Sequence, residues 1–330
     1  MAVIVVALAG CSTKTADAPP PTIAPAKAAD SPPVTAPPAG QVHPLNGPGL
    51  ASTFDRASHT LVVLGSDPAG RSVLTLVPGT PPSLPPRTVP LPAAATALTS
   101  DGHGTAYVST RGGYFRVDVA AGTVTRLDVD GAQDTEFTAI AHRDDGKVVL
   151  GSADGAVYTL SSDTAVGAKL AIFARVDALA AQGDTVVVLD RGQTSVTTVD
   201  ASGTHAEHSL RAGDGATTIA ADSAGRVLVA DTRGDELLVF GADPLMLRQR
   251  YPVPGAPYGL TGSNGLAWVS ETATNSVVGY DLATGIPVEK VRYRTVRQPN
   301  SLAFDDDAGT LYVVSGSGGG VQVIPKAAQR

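Results

Sequence analysis

Asn264-Gly265-Leu266-Ala267-Trp268-Val269-Ser270-Glu271 is a tight turn, an apolar strand and a polar exit, and the chain contains seven versions of it. The strand cores align as Thr60-Leu61-Val62-Val63, Thr105-Ala106-Tyr107-Val108, Lys147-Val148-Val149-Leu150, Val186-Val187-Val188, Arg226-Val227-Leu228-Val229, Leu266-Ala267-Trp268-Val269 and Thr310-Leu311-Tyr312-Val313. Their last residues, 63, 108, 150, 188, 229, 269 and 313, stand 45, 42, 38, 41, 40 and 44 apart. That is the spacing of four-stranded blades, each about 40–45 residues long, arranged around a channel.

The surroundings of each copy follow one grammar. A short apolar strand precedes it, as in Ala97-Leu98, Ala139-Ile140, Ala178-Leu179-Ala180, Thr218-Ile219-Ala220, Gly259-Leu260 and Ser301-Leu302-Ala303-Phe304. The intervening turns are Asp101-Gly102, Asp145-Gly146, Gly183-Asp184, Ala224-Gly225, Asn264-Gly265 and Ala308-Gly309, residues that tolerate positive φ. A third strand follows, such as Tyr114 to Val117 or Glu236 to Phe240, then a more polar fourth, such as Thr123 to Leu127. No run has helical periodicity. The sequence therefore predicts an all-β, seven-bladed propeller of four-stranded antiparallel blades over 41–330, with the innermost strands buried on both faces. The Pro-rich stretch Pro78 to Pro92 fits a loop and the outer strand of the first blade, where proline is tolerated. The last unit runs out after Gly320 to Ile324, so Gln41-Val42-His43-Pro44-Leu45 is expected to supply its missing outer strand.

Composition narrows the function classes. With 24 Lys+Arg against 31 Asp+Glu, the formal charge is -7, and no basic cluster interleaved with aromatics appears. Nucleic-acid binding is excluded on that ground. The single Cys rules out an intramolecular disulfide or a multi-cysteine zinc site.

That cysteine has a distinctive position. Residues 2–10 are apolar or small and end in Leu8-Ala9-Gly10-Cys11, which resembles the bacterial lipobox, with Ala9 and Gly10 beside the cleaved bond and Cys11 lipidated. The apolar run is too short to cross a bilayer. Residues 1–10 then read as a lipoprotein signal and 11–40, rich in Pro, Ala and Thr, as a disordered tether spanning up to about 100 Å at ~3.1 Å per residue. The domain is expected on the extracytoplasmic face of the cell membrane, as a monomer.

Pro257-Tyr258-Gly259-Leu260 leading to Leu266-Ala267-Trp268-Val269, and Pro299-Asn300-Ser301-Leu302 leading to Leu311-Tyr312-Val313, resemble NHL and YVTN-type propeller repeats. Together with the lipobox and tether, the chain is similar to mycobacterial and other actinobacterial propeller lipoproteins. The resemblance implies a fold and leaves the activity open, because such propellers include both binding platforms and enzymes.

Two positions beyond each aligned strand lies a rim residue: Gly65, Thr110, Ser152, Asp190, Asp231, Glu271 and Ser315. Three neighbouring units carry acids there, with Arg111, Arg191 and Arg233 beside the same loops. Tyr258, Asn300 and Phe137 enter from the loops before the innermost strands, giving a candidate mixed-charge binding face. The same acids could instead accept backbone N–H bonds within their own turns. His205 and His208 point to opposite faces of a strand, and Asp305-Asp306-Asp307 reads as a turn, so no metal site or cofactor is expected. No Gly-x-Ser-x-Gly elbow, Walker loop or dinucleotide fingerprint occurs, and no catalytic residue is assigned. The leading expectation is a lipid-anchored module binding an envelope protein or small ligand. The alternative is a propeller lactonase or hydrolase, whose Ca or Zn would sit on Asn300, Asp231 and Glu271.

Overall fold

The computed structural model describes residues 21–79 and 85–329. The described strands form seven four-stranded antiparallel sheets, each built from consecutive strands except the last. The innermost strands are Gly49–Asp55, Ala95–Ser100, Phe137–His142, Ala178–Gln182, Ala216–Ala221, Pro257–Gly262 and Pro299–Asp305, and they surround the central channel.

In the seventh blade, Pro299–Asp305, Thr310–Ser315 and Val321–Ile324 are completed by Gln41–His43 from the start of the domain. The pairs are Gln41 with Val323, Val42 with Gln322 and His43 with Val321. The strand anticipated from the missing outer edge is therefore present, and it closes the ring. The first blade's outer strand is Arg87–Pro90, inside the Pro-rich stretch, with Pro90 at its end.

Burial is deepest one strand further out than the sequence suggests. Val148–Ser152, Leu266–Glu271 and Thr310–Ser315 are buried throughout, whereas Ala95–Ser100 is only half-buried at every position. The second strand is sandwiched on both faces by neighbouring blades, while the innermost strand turns one edge to the channel. Its alternation of Thr or Ser with Ala and Leu is the signature of that half-solvated position.

Blades adhere through seven apolar clusters, each bridging two neighbours. In one, Leu61, Val63 and Val77 of the first blade meet Tyr312, Val314 and Val323 of the seventh. In another, Trp268 of the sixth stacks on Phe304 of the seventh, centroids 5.8 Å apart, while its indole N–H donates to Ser263 Oγ at 3.0 Å. Hydroxyls add a directional latch towards the start of the next innermost strand: Thr96 Oγ1 donates to the Phe137 carbonyl at 2.6 Å, Thr138 to Val176 at 2.5 Å and Ser270 to Pro299 at 2.5 Å. On the opposite side of the ring, Asp305 Oδ1 accepts from the N–H of Asp307 and Ala308, Asp306 accepts from Asn264 N–H, and Asp307 pairs with Arg56. The acidic triplet is spent on turns and blade contacts.

Candidate functional site

The loops that join second to third strands and those that enter each innermost strand share one face, the rim of the channel. Asp190 and Asp231 lie on this rim, and both are fully buried. Asp190 accepts from Ala174 N–H at 2.9 Å, Arg175 N–H at 3.2 Å and Gln193 N–H at 2.9 Å. Asp231 accepts from Asp214 N–H at 2.8 Å, Gly215 N–H at 2.7 Å and Gly234 N–H at 3.1 Å. Each carboxylate thus ties the loop entering a blade to the turn after its second strand. Glu271 accepts through Oε2 from Ser276 Oγ and Arg292 Nη1, both at 2.6 Å, and from Thr274 Oγ1 at 3.1 Å, while its buried Oε1 has no partner.

The arginines do not offset these acids. Arg111, two-thirds exposed, pairs with Asp134. Arg191 and Arg233 turn to backbone carbonyls of the segment that precedes the ring: Arg191 Nη2 donates to Ala26 O, and Arg233 Nη2 to Ala24 O at 2.7 Å. Phe137 is also displaced from the expected face. Its ring is fully buried between the second and third blades, edge-on to Tyr158.

The segment holding those carbonyls is the Pro/Ala-rich stretch. It is extended and free of strand or helix from 21 to 40, but in place of the disordered tether expected there it is bonded to the ring over 23–39. Ile23 N–H donates to Gly192 O at 2.8 Å, Ser31 N–H to Gln298 Oε1 at 3.0 Å, and Ala39 N–H to Arg294 O at 3.1 Å. The strap crosses the rim of blades four to six and leads into the closing strand. Leu8, Ala9, Gly10 and Cys11 lie outside the described residues.

Between the blades runs a cavity of about 650 Å³, lined by the seven innermost strands and by Arg191. Tyr258 and Asn300 are in its wall; Asn300 Oδ1 accepts from Gln298 Nε2 at 3.1 Å. The wall otherwise presents mostly small hydroxyls and alanines, among them Ser52, Thr96, Thr138, Thr217 and Ser301. A group missed by sequence reading sits at the mouth. Asp177 pairs with Arg175 Nε at 3.2 Å and accepts from Arg191 N–H at 2.8 Å. Burial pushes its carboxyl above the ordinary range, against the opposing Arg191 N–H bond and the Arg191 and Arg175 charges. Beside it, Arg191 Nε is buried without an acceptor. At the far end, His142 stacks on Tyr107 at 4.9 Å, and burial lowers its pKa.

No family model matches the chain, and no curated protein matches it in sequence. Solved structures do. Virginiamycin B lyase from Staphylococcus aureus aligns with a TM-score of 0.68 at 12% identity, covering 86% of this chain and 98% of that one. The likeness is one of fold. A streptogramin B lyase aligns at 0.63 and 13% over 87% of this chain and 96% of that one, and Kuenenia stuttgartiensis hydrazine synthase at 0.67 and 15% over 86% and 97%. Neighbours so different in name and so low in identity share the propeller and carry no common site to this chain.

Proposed function

We propose that the chain is a lipid-anchored binding module working outside the membrane, which takes a small anionic ligand at the mouth of the channel. The observation that carries the ligand class is Arg191. Leaving a buried N–H without an acceptor costs on the order of 1–3 kcal/mol; the Arg191 side chain lines the cavity wall, and its Nε is buried without an acceptor. Arg175 stands beside the mouth, ion-paired with Asp177, which is the carboxylate among the lining residues. A carboxylate or similar oxyanion complements the guanidinium charge of Arg191 on the cavity wall, and the small polar side chains of that wall suit a hydrogen-bonding body. Purified chain should gain thermal stability from glucuronate and not from glucose, and Arg191→Ala should abolish the gain. Equal effects of the two sugars, or an undiminished gain in the variant, would contradict the assignment.

The anchor rests on the Leu8-Ala9-Gly10-Cys11 pattern. With the strap attached from Ile23, only about a dozen residues separate Cys11 from the rim, a reach of roughly 40 Å at ~3.3–3.6 Å per residue. The mouth is then carried on the membrane-proximal side. Cys11→Ala should move the protein from the membrane to the soluble fraction; unchanged partitioning would remove the anchor from the proposal. The lactonase alternative finds no support in the geometry: Asp231 is enclosed by its own loops, Glu271 is bound to Ser276 and Arg292, and Asn300 is bound to Gln298.

A further inference from the structure

The strap is held mainly through its carbonyls. Arg233 reaches Ala24 O, Arg191 reaches Ala26 O, Gln298 Nε2 donates to Ala29 O at 2.9 Å, Arg297 Nε to Ser31 O at 3.1 Å and Asn275 Nδ2 to Pro32 O at 2.8 Å. Within residues 22–32 its own N–H groups are used at Ile23, Ala29 and Ser31, and further along at Ala39. A surface that reads carbonyls accepts proline anywhere except at those positions, because proline keeps its C=O and loses only its N–H.

Two positions of the strap are gripped by shape as well. Ala26 is buried against Gly215, where an added Cβ would come within 2.9 Å of the Ala26 methyl. Ser31 is 3% exposed; its Oγ donates to Thr272 O at 2.5 Å and accepts from Gln298 N–H at 3.1 Å. Asn275 and Gln298, which both reach the strap through their side chains, have φ of 50° and 58°. The same left-handed backbone occurs at Ala256, which like Gln298 precedes an innermost strand, and at Thr194 and Asp235, which match Asn275, so it is a turn geometry of the repeat that presents these side chains to the strap. Side-chain donors from several blades and two shaped pockets amount to a built peptide groove.

We propose that this groove is a recognition site for extended Pro/Ala-rich peptide with a small residue and, five positions later, a serine, and that residues 22–32 fill it as an intramolecular ligand. The inference does not depend on ligand binding in the channel or on the lipid anchor. A peptide segment of the same chemistry from another chain takes the groove whenever the strap is out. In the intact protein the strap competes with an effective concentration of order mM, so a trans peptide with a dissociation constant near 10 µM should bind roughly 100-fold more weakly than to an open groove.

The test uses a fluorescent peptide of residues 21–34 as probe. A chain lacking residues 12–38 keeps the closing strand, and its folding is checked by circular dichroism and melting. It should bind the peptide saturably, the intact chain at least tenfold more weakly, and peptides carrying Ser31→Trp or Ala26→Trp hardly at all. Should the deletion fail to fold, the full chain carrying Ser31→Trp, which ejects its own strap, should gain binding of the unmodified peptide. Absence of saturable binding to either folded form, or equal binding of the tryptophan peptides, would overturn the proposal.

Discussion

Replacing Asp231 by Ala removes the acceptor for three N–H groups, that of Gly215, which is buried, and those of Asp214 and Gly234, which are partly buried. The two loops wrap the carboxylate so closely that a Cβ on Gly213 or Gly234 would fall 1.9 or 2.1 Å from Oδ2, and Gly213 also has φ of 71°. Hydrogen bonds to a charged group contribute about 1.5–3 kcal/mol each, but water can enter a rim loop once the carboxylate is gone, so the three do not add in full. A net loss of about 3–4 kcal/mol follows, which lowers the melting temperature by roughly 6 °C. Asp231→Asn keeps one acceptor oxygen but sets its amide N–H₂ against a backbone donor, and an intermediate loss is expected. Scanning calorimetry on both variants decides the matter. If Asp231→Ala melts within about 1 °C of wild type and instead changes ligand affinity, then Asp231 is a binding residue and the assignment to loop structure is wrong.

Three further outcomes follow from the same geometry. Removing residues 12–46 deletes the closing strand and exposes the edge at Val321–Ile324, so that variant should melt well below a 12–38 deletion and aggregate sooner; equal melting temperatures would deny the closure. For Asp177, a carboxyl raised in the folded state favours the protonated form, so its contribution is fully present below the unfolded value of about 3.9 and is lost as pH rises through the raised value. Urea midpoints from about pH 4 upward should therefore decline more steeply for wild type than for Asp177→Asn, and parallel profiles would contradict the raised carboxyl. Arg143, 2% exposed, donates to Ala201 O at 2.7 Å and pairs with Asp145 at 2.8 Å, while Asp145 also pairs with Lys147; Arg143→Ala leaves the Ala201 carbonyl without its donor and should cost about 1–3 kcal/mol by urea unfolding, and a cost under about 0.5 kcal/mol would show that the contact is not needed.

The fold was legible because the signal was apolar and repeated. Val186 to Leu189 or Leu266 to Val269 must be buried wherever they occur, and their spacing alone counts the blades. Ring closure was legible too, since a blade ending at Ile324 with so few residues left has an unpaired edge. The strap was not legible. Residues 21–40 lack any period of large side chains, and what attaches them is backbone carbonyl to Arg, Asn and Gln donors lying some 165 to 269 residues away in sequence. Composition pointed to a disordered tether and said nothing of where it lies; the segment is extended but bonded to the ring. Arg191 and Arg233 stood out as rim residues, yet their partners are alanine carbonyls, which no pattern of side chains reveals. The acids beside them were ambiguous for a local reason: an Asp that binds ligand and one that knits two loops look alike until the N–H groups around it are placed. Asp177 gave no signal because its burial is created by neighbouring loops and not by its own strand.

The attachment of the strap is central to both the orientation of the mouth and the peptide groove, and amide hydrogen exchange resolved by residue tests it most directly. The N–H groups of Ile23, Ala29, Ser31 and Ala39 have acceptors on the ring and should exchange far more slowly than an unstructured peptide of the same sequence, while Ala24 and Lys27 should exchange faster than these four. Exchange of all residues from 22 to 39 at the rate of the free peptide would contradict the account.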